Sequence, residues 1–210
     1  MNNYIFFLAI VLLLYFVFIS STIYRESMYV ESDLDKIPYL IRSAQNKSRD
    51  YLKTSANTLA EINKRVNKLL IHLEKNYIND GSKNYFIKKL IENYHPNILS
   101  EAAIDNRYTT FTIDKKEMHI CLRTRDENEK LYNIDLLMYV ILHELSHLCN
   151  YNENENPIIG HGVEFKEIFK FLVIESIKLG IYKYKDYSQN PEPYCGIMLS
   201  SSILPNYTLY

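Results

Sequence analysis

The chain has 210 residues, 47% of them hydrophobic, and a formal charge of -1 at pH 7. That is material for one buried core rather than two catalytic domains. A balance so close to neutral excludes the global basic field that draws a protein onto nucleic acid or anionic lipid, so any such affinity has to be local.

Residues 4–24 carry no charged side chain, and residues 5–19 are almost wholly Ile, Leu, Val, Phe, Ala and Tyr. The run is close to the ~20 residues that span a hydrocarbon core, so a transmembrane anchor is expected over residues 1–25. It exceeds the ~7 to 15 apolar residues of a cleaved signal peptide, and nothing basic precedes it, although Ser20 and Ser21 offer a cleavage point. Arg25, Lys36 and Arg42 follow the span while the N-terminal tail has no Lys or Arg. The positive-inside tendency therefore predicts a single-pass membrane protein with its large domain in the cytosol. Cys121, Cys149 and Cys195 are odd in number and widely spaced. They read as buried free thiols in a reducing compartment, not as a disulfide framework or a short-spaced zinc site. The two sequons, at Asn46 and Asn206, matter only if the domain is lumenal.

A short extended stretch is expected at residues 39–42. Over residues 49–78 apolar side chains recur at Leu52, Ala56, Leu59, Ile62, Val66, Leu69, Leu70 and Leu73, a helical spacing. Leu52, Leu59, Val66 and Leu73 also fit a heptad seam, but a sustained coiled coil needs more heptads, so an amphipathic helix on its own domain is the better reading. A shorter helix over residues 85–94 follows the Asp80-Gly81-Ser82 turn and stops at His95-Pro96. The period then changes: residues 108–113 and 117–123 read as two antiparallel strands joined by a tight turn at Asp114-Lys115-Lys116. Residues 134–149 are apolar nearly all round, as in a buried central helix. A last helix over residues 163–179 is closed by Gly180.

The buried helix contains His143-Glu144-Leu145-Ser146-His147. Histidines four apart lie one turn above another, where both rings reach a single Zn²⁺, and Glu144 sits beside the metal, where it acts as general base toward water. A catalytic zinc site needs a third protein ligand and an open position. His161, between Gly160 and Gly162, is the best candidate, with Glu164 and Glu167 as rival donors. On a buried helix, two histidines and a glutamate without partners are costly, which favours metal binding over incidental polarity. His72, His95 and His119 lack such an arrangement and read as ordinary residues. Tyr151, Tyr182 and Tyr194 are candidates for an oxyanion donor, but among 19 tyrosines each reads first as packing.

Three segments together resemble the WLM and SprT-like (Spartan-type) zinc metalloproteases: residues 120–123, residues 140–147, and Gly160-His161-Gly162-Val163-Glu164-Phe165. The resemblance covers roughly residues 29–198 and is sharpest over the metal helix and His161. The ending Tyr194-Cys195-Gly196 is similar to compact WLM-like proteins of large DNA viruses. The resemblance implies an α+β zincin-like fold with a small antiparallel sheet and a central metal-binding helix over residues 26–200, followed by a tail over 201–210. It implies peptidase activity on protein or peptide, in the best-known members on proteins crosslinked to DNA. Here no basic arm, second zinc-finger pattern or ubiquitin-family interaction segment accompanies it, so nucleic acid is not indicated. Two further readings stand beside the metallopeptidase: a non-catalytic membrane or partner-binding protein stapled by zinc, and a protease acting on DNA-associated proteins.

Overall fold

Residues 2–24, 27–44, 48–103, 110–152 and 154–205 are described by a computed structural model, with the side chains of the first helix described at residues 5–17. Both sequons, the segment 104–109 at the start of the expected hairpin, and the tail beyond 205 fall wholly or partly outside the described residues.

The described elements form an α+β architecture with a small sheet. In chain order they are α1 (Asn2–Tyr24), β1 (Ser27–Glu31), β2 (Pro38–Arg42), α2 (Arg49–Tyr77), α3 (Asn84–Asn93), a 3-10 turn at Pro96–Ile98, and β3 (Leu99–Glu101). There follow β4 (Phe111–Ile113), β5 (Glu117–Ile120), α4 (Ile134–Cys149), α5 (Val163–Lys178), β6 (Glu192–Tyr194) and β7 (Ile197–Leu199). Five strands pair in the order β1-β2-β3-β5-β4, and β6 pairs with β7 as a separate hairpin. The sheet is mixed, not antiparallel as expected: β2 and β3, and β3 and β5, run parallel, and the two outer pairs are antiparallel.

Strand alternation sorts the sheet into two faces. Val30, Tyr39, Ile41, Leu99, Met118 and Ile120 are buried on the inner one, against the helices. The outer face carries Tyr29, Leu40, Ser100, His119 and Phe111 in a row of directly paired positions. The 3.6-residue stripe of α2 buries Leu52, Ala56, Leu59, Ile62, Val66, Leu69 and Leu73. That stripe belongs to the domain's own core rather than to a coiled-coil seam. Ser48 starts α2 by accepting a hydrogen bond from Tyr51 N, an N-cap of the ordinary kind.

One expectation is corrected at the N-terminus. The uncharged run forms α1, but among the described residues no helix is long and apolar enough to cross a membrane. The N-terminal transmembrane anchor, the single-pass membrane localisation with a cytosolic domain, and the membrane as a partner all rested on that span and go with it.

The cysteine expectation is corrected as well. Cys121 and Cys195 form a disulfide with their Cα atoms 6.2 Å apart, and Cys149 alone is free and buried. A sequence separation of 74 residues hid the pair, because the β6–β7 hairpin returns to the end of β5 only in three dimensions.

Candidate metal centre

α4 carries the site and is fixed at both ends. At its start Asn133 accepts a hydrogen bond from Asp135 N, and Asp135 lies in the first turn, where the helix dipole favours negative charge. At its end the Lys115 ammonium donates to the main-chain carbonyls of His147 and Asn150, a cation on the negative end of the dipole. Lys115 reaches there from the tight turn after β4, where Asp114 and Lys115 have φ of 47° and 57°. Leu136 to Leu142, Glu144 to Ser146, Leu148 and Cys149 are buried, so beyond the first turn of the helix only His143 and His147 are partly exposed.

His143 and His147, one turn apart, are half-buried; His161 comes from the loop before α5, directly after Gly160, whose φ of 89° a side chain rarely tolerates. The three Nε2 atoms form a nearly equilateral triangle. His143 to His147 is 3.2 Å, His147 to His161 is 3.0 Å and His161 to His143 is 3.0 Å. Neutral imidazole nitrogens are either donors or acceptors. In such a triangle at least one pair must therefore set donor against donor or lone pair against lone pair. A cation at the common focus removes that conflict, and ligands at about 2.0 to 2.1 Å in tetrahedral array stand about 3.3 Å apart, which these separations match. Burial, and then the neighbouring histidines, hold the His143 ring down to about 3; burial, then His161, holds His147 down to about 4. Both rings are thus neutral, with lone pairs available to a metal.

The rings are oriented by packing. Phe165, on the first turn of α5 and 2% exposed, lies 4.9 Å from His143, 4.3 Å from His147 and 4.7 Å from His161, centroid to centroid. Among the described residues no hydrogen bond is made by the second nitrogen of any of the three rings; all three contact Phe165, His147 at an interplanar angle of 34° and His143 and His161 nearer edge-on, at 67° and 87°.

Glu144 is 5% exposed, and its Oε2 accepts a hydrogen bond from Thr112 Oγ1 at 2.8 Å. Burial pushes its carboxyl up to about 7, against the lowering effect of the Thr112 hydroxyl. Glu164 and Glu167, the rival donors, are exposed on α5 and outside the cluster, which contains His143, His147 and His161. Tyr194 is buried with its hydroxyl bonded to Thr110; Tyr151 accepts from Asn93 at 3.1 Å; Tyr182 is buried against Tyr139.

The remaining histidines have other occupations. His72 Nε2 meets Glu175 Oε2 at 2.8 Å, and His95 is exposed before the 3-10 turn. His119 lies on the outer sheet face between Ser100, at 2.9 Å, and Glu117, at 3.1 Å. That face lines a groove of about 470 Å³ with Tyr29 and Leu40, and none of the clustered histidines borders it. Sequence reasoning missed Thr112 and the orienting part of Phe165. Strand alternation in the hairpin was the one signal that turned Thr112 toward α4.

An α+β chain with three converging histidines and a buried glutamate beside them is the class that fold and site define. Uncharacterized protein R325 of Acanthamoeba polyphaga mimivirus is 38% identical to this chain over 202 residues, which is 94% of this chain and 93% of the relative. The chain belongs to the same family as that viral protein. Uncharacterized protein 136R of Invertebrate iridescent virus 6 is 32% identical, and uncharacterized protein 042R of Invertebrate iridescent virus 3 is 35% identical, each over 88 residues. Those matches cover 41% of this chain and 46% and 50% of the two relatives. No protein-family model and no solved structure matches the chain.

Proposed function

We propose that the chain is a zinc-dependent metallopeptidase of the WLM/SprT-like kind, its catalytic domain within residues 26–200. His143, His147 and His161 are the metal ligands and Glu144 is the general base. The observation that carries this reading is the triangle of Nε2 atoms at 3.0 to 3.2 Å with Glu144 next in sequence to one corner. Zinc held there would supply a Lewis acid, one that brings the pKa of a water toward ~7 and polarises a peptide carbonyl. Glu144 takes a proton from the attacking water and passes it to the leaving amine. A carboxyl brought up to about 7 by burial is suited to both transfers near neutral pH. An intact base also favours catalysis over a purely structural zinc, which needs ligands but no proton acceptor.

The test is metal content and cleavage of an unfolded protein by the full chain, compared with Glu144→Gln and His147→Ala. Near-stoichiometric zinc in wild type and Glu144→Gln, its loss in His147→Ala, and proteolysis by wild type alone are expected. Zinc with no proteolysis in any form turns the assignment to a structural site, and a wild-type chain without zinc sinks it.

A further inference from the structure

β4 lies at the sheet edge beside α4, and its side chains alternate. Phe111 and Ile113 turn to the outer face, whereas Thr112, paired with the buried Met118, turns inward. There its Oγ1 donates to Glu144 Oε2 at 2.8 Å. Among the described residues this is the hydrogen bond made by the Glu144 carboxylate. A glutamate has three side-chain torsions through which its carboxylate can swing. Threonine is a stiff anchor for it, because branching at Cβ restricts χ1.

The strand bearing Thr112 is itself braced at both ends. On one side Thr110 Oγ1 accepts from Cys121 N at 3.0 Å and shares a hydrogen bond with the buried Tyr194 hydroxyl. On the other, Lys115 joins the turn to the last carbonyls of α4. β4 therefore grips the metal helix at two points, the Glu144 side chain and the helix end.

We propose that Thr112 is a positioning residue for Glu144: its hydroxyl ties Oε2 to β4 and leaves Oε1 as the oxygen that exchanges a proton. The inference rests on the metallopeptidase reading and adds to it the part of the sheet that sets the base. It is distinct from simple satisfaction of a buried acceptor, because it requires the hydroxyl for turnover and not for metal binding.

Thr112→Val keeps the shape and removes the donor, while Thr112→Ser keeps the donor and removes a methyl group. In the full chain, Thr112→Val is expected to bind zinc like wild type and to hold KM within about twofold. Its kcat falls about ten- to a hundredfold, as for loss of a hydrogen bond to a charged group. Thr112→Ser restores kcat to within about threefold of wild type. Wild-type kcat in Thr112→Val overturns the proposal, as does equal loss in the two variants, which marks a packing role, or loss of zinc in Thr112→Val. A second readout needs neither metal nor activity. In the chelator-treated chain Thr112→Val lowers Tm by a few degrees, and by much less when Glu144→Ala is already present. Equal shifts in both backgrounds overturn the coupling. A wild-type chain that neither binds zinc nor cleaves fails at the functional reading itself, and the role of Thr112 falls with it whatever the Tm values.

Discussion

The ring of Phe165 lies 4.3 Å from that of His147, closer than to either other histidine. Most histidine ligands are oriented by a hydrogen bond at the second nitrogen; on the zinc reading, contact with the Phe165 ring takes that part here. Phe165→Leu keeps most of the buried volume and loses the aromatic ring. It is expected to weaken zinc binding about tenfold, at the low end of what loss of an orienting partner costs. Competition against a chromophoric chelator measures this, and unchanged affinity shows that the rings need no such support.

Cys121 and Cys195 are expected to be linked in the purified chain, as peptide mapping without reductant reads directly. Replacing both by serine removes closure of a 74-residue loop, worth about 4 kcal/mol of stability on chain-entropy grounds. Cys149 is fully buried, and burial pushes its thiol up to about 12. It is expected to resist alkylation in the folded protein and to react on denaturation. Rapid labelling of the native chain contradicts that burial.

Glu101 and Arg123 form a buried ion pair whose side chains are both 0% exposed, with Arg123 Nε 2.7 Å from Glu101 Oε1. Glu101 Oε2 also accepts from Arg42 N at 3.0 Å, so one carboxylate joins β2, β3 and the segment after β5. Glu101→Gln removes the nearer of the two counter-charges from a buried guanidinium and is expected to cost about 3 to 5 kcal/mol. Chemical denaturation of the variant measures it; a cost under about 1 kcal/mol means that Glu129, 3.7 Å from Arg123, takes over the pairing.

Glu175 ties α5 to α2 through His72, at 2.8 Å, and pairs along its own helix with Lys178, at 2.7 Å. Burial raises its carboxyl, but the hydrogen bonds from Lys178 and His72 outweigh it and the net shift is downward. A carboxylate lowered in the folded state adds stability above its ordinary range and loses it as pH falls through the lowered value. Unfolding midpoints from pH 7 into acid should therefore fall more steeply for wild type than for Glu175→Gln. Parallel curves remove Glu175 from the acid response.

The parts legible in the sequence are those written in local period. The stripe of α2, the all-round apolar α4 and the closing Gly180, at φ 66°, follow from residues within one or two turns of each other. The four-residue spacing of His143 and His147 likewise predicts their shared face. The bond between Thr112 and Glu144 spans 32 positions and depends on which edge of the sheet meets α4. β3 is three residues long and pairs in parallel with β2 and β5, so it has neither the length nor the tight turn that marks a hairpin. The β6–β7 hairpin is equally short, and its partner cysteine lies beyond any local window.

The disulfide also sets a topology. Residues 121–195 form a closed covalent ring, and Glu144, His143, His147 and His161 all belong to it. When the chain unfolds with the bridge intact, the three histidines cannot drift as far apart as they would on an open strand. On the zinc reading, metal added to the denatured, bridged protein is expected to meet a more confined set of imidazoles than metal added to the reduced one.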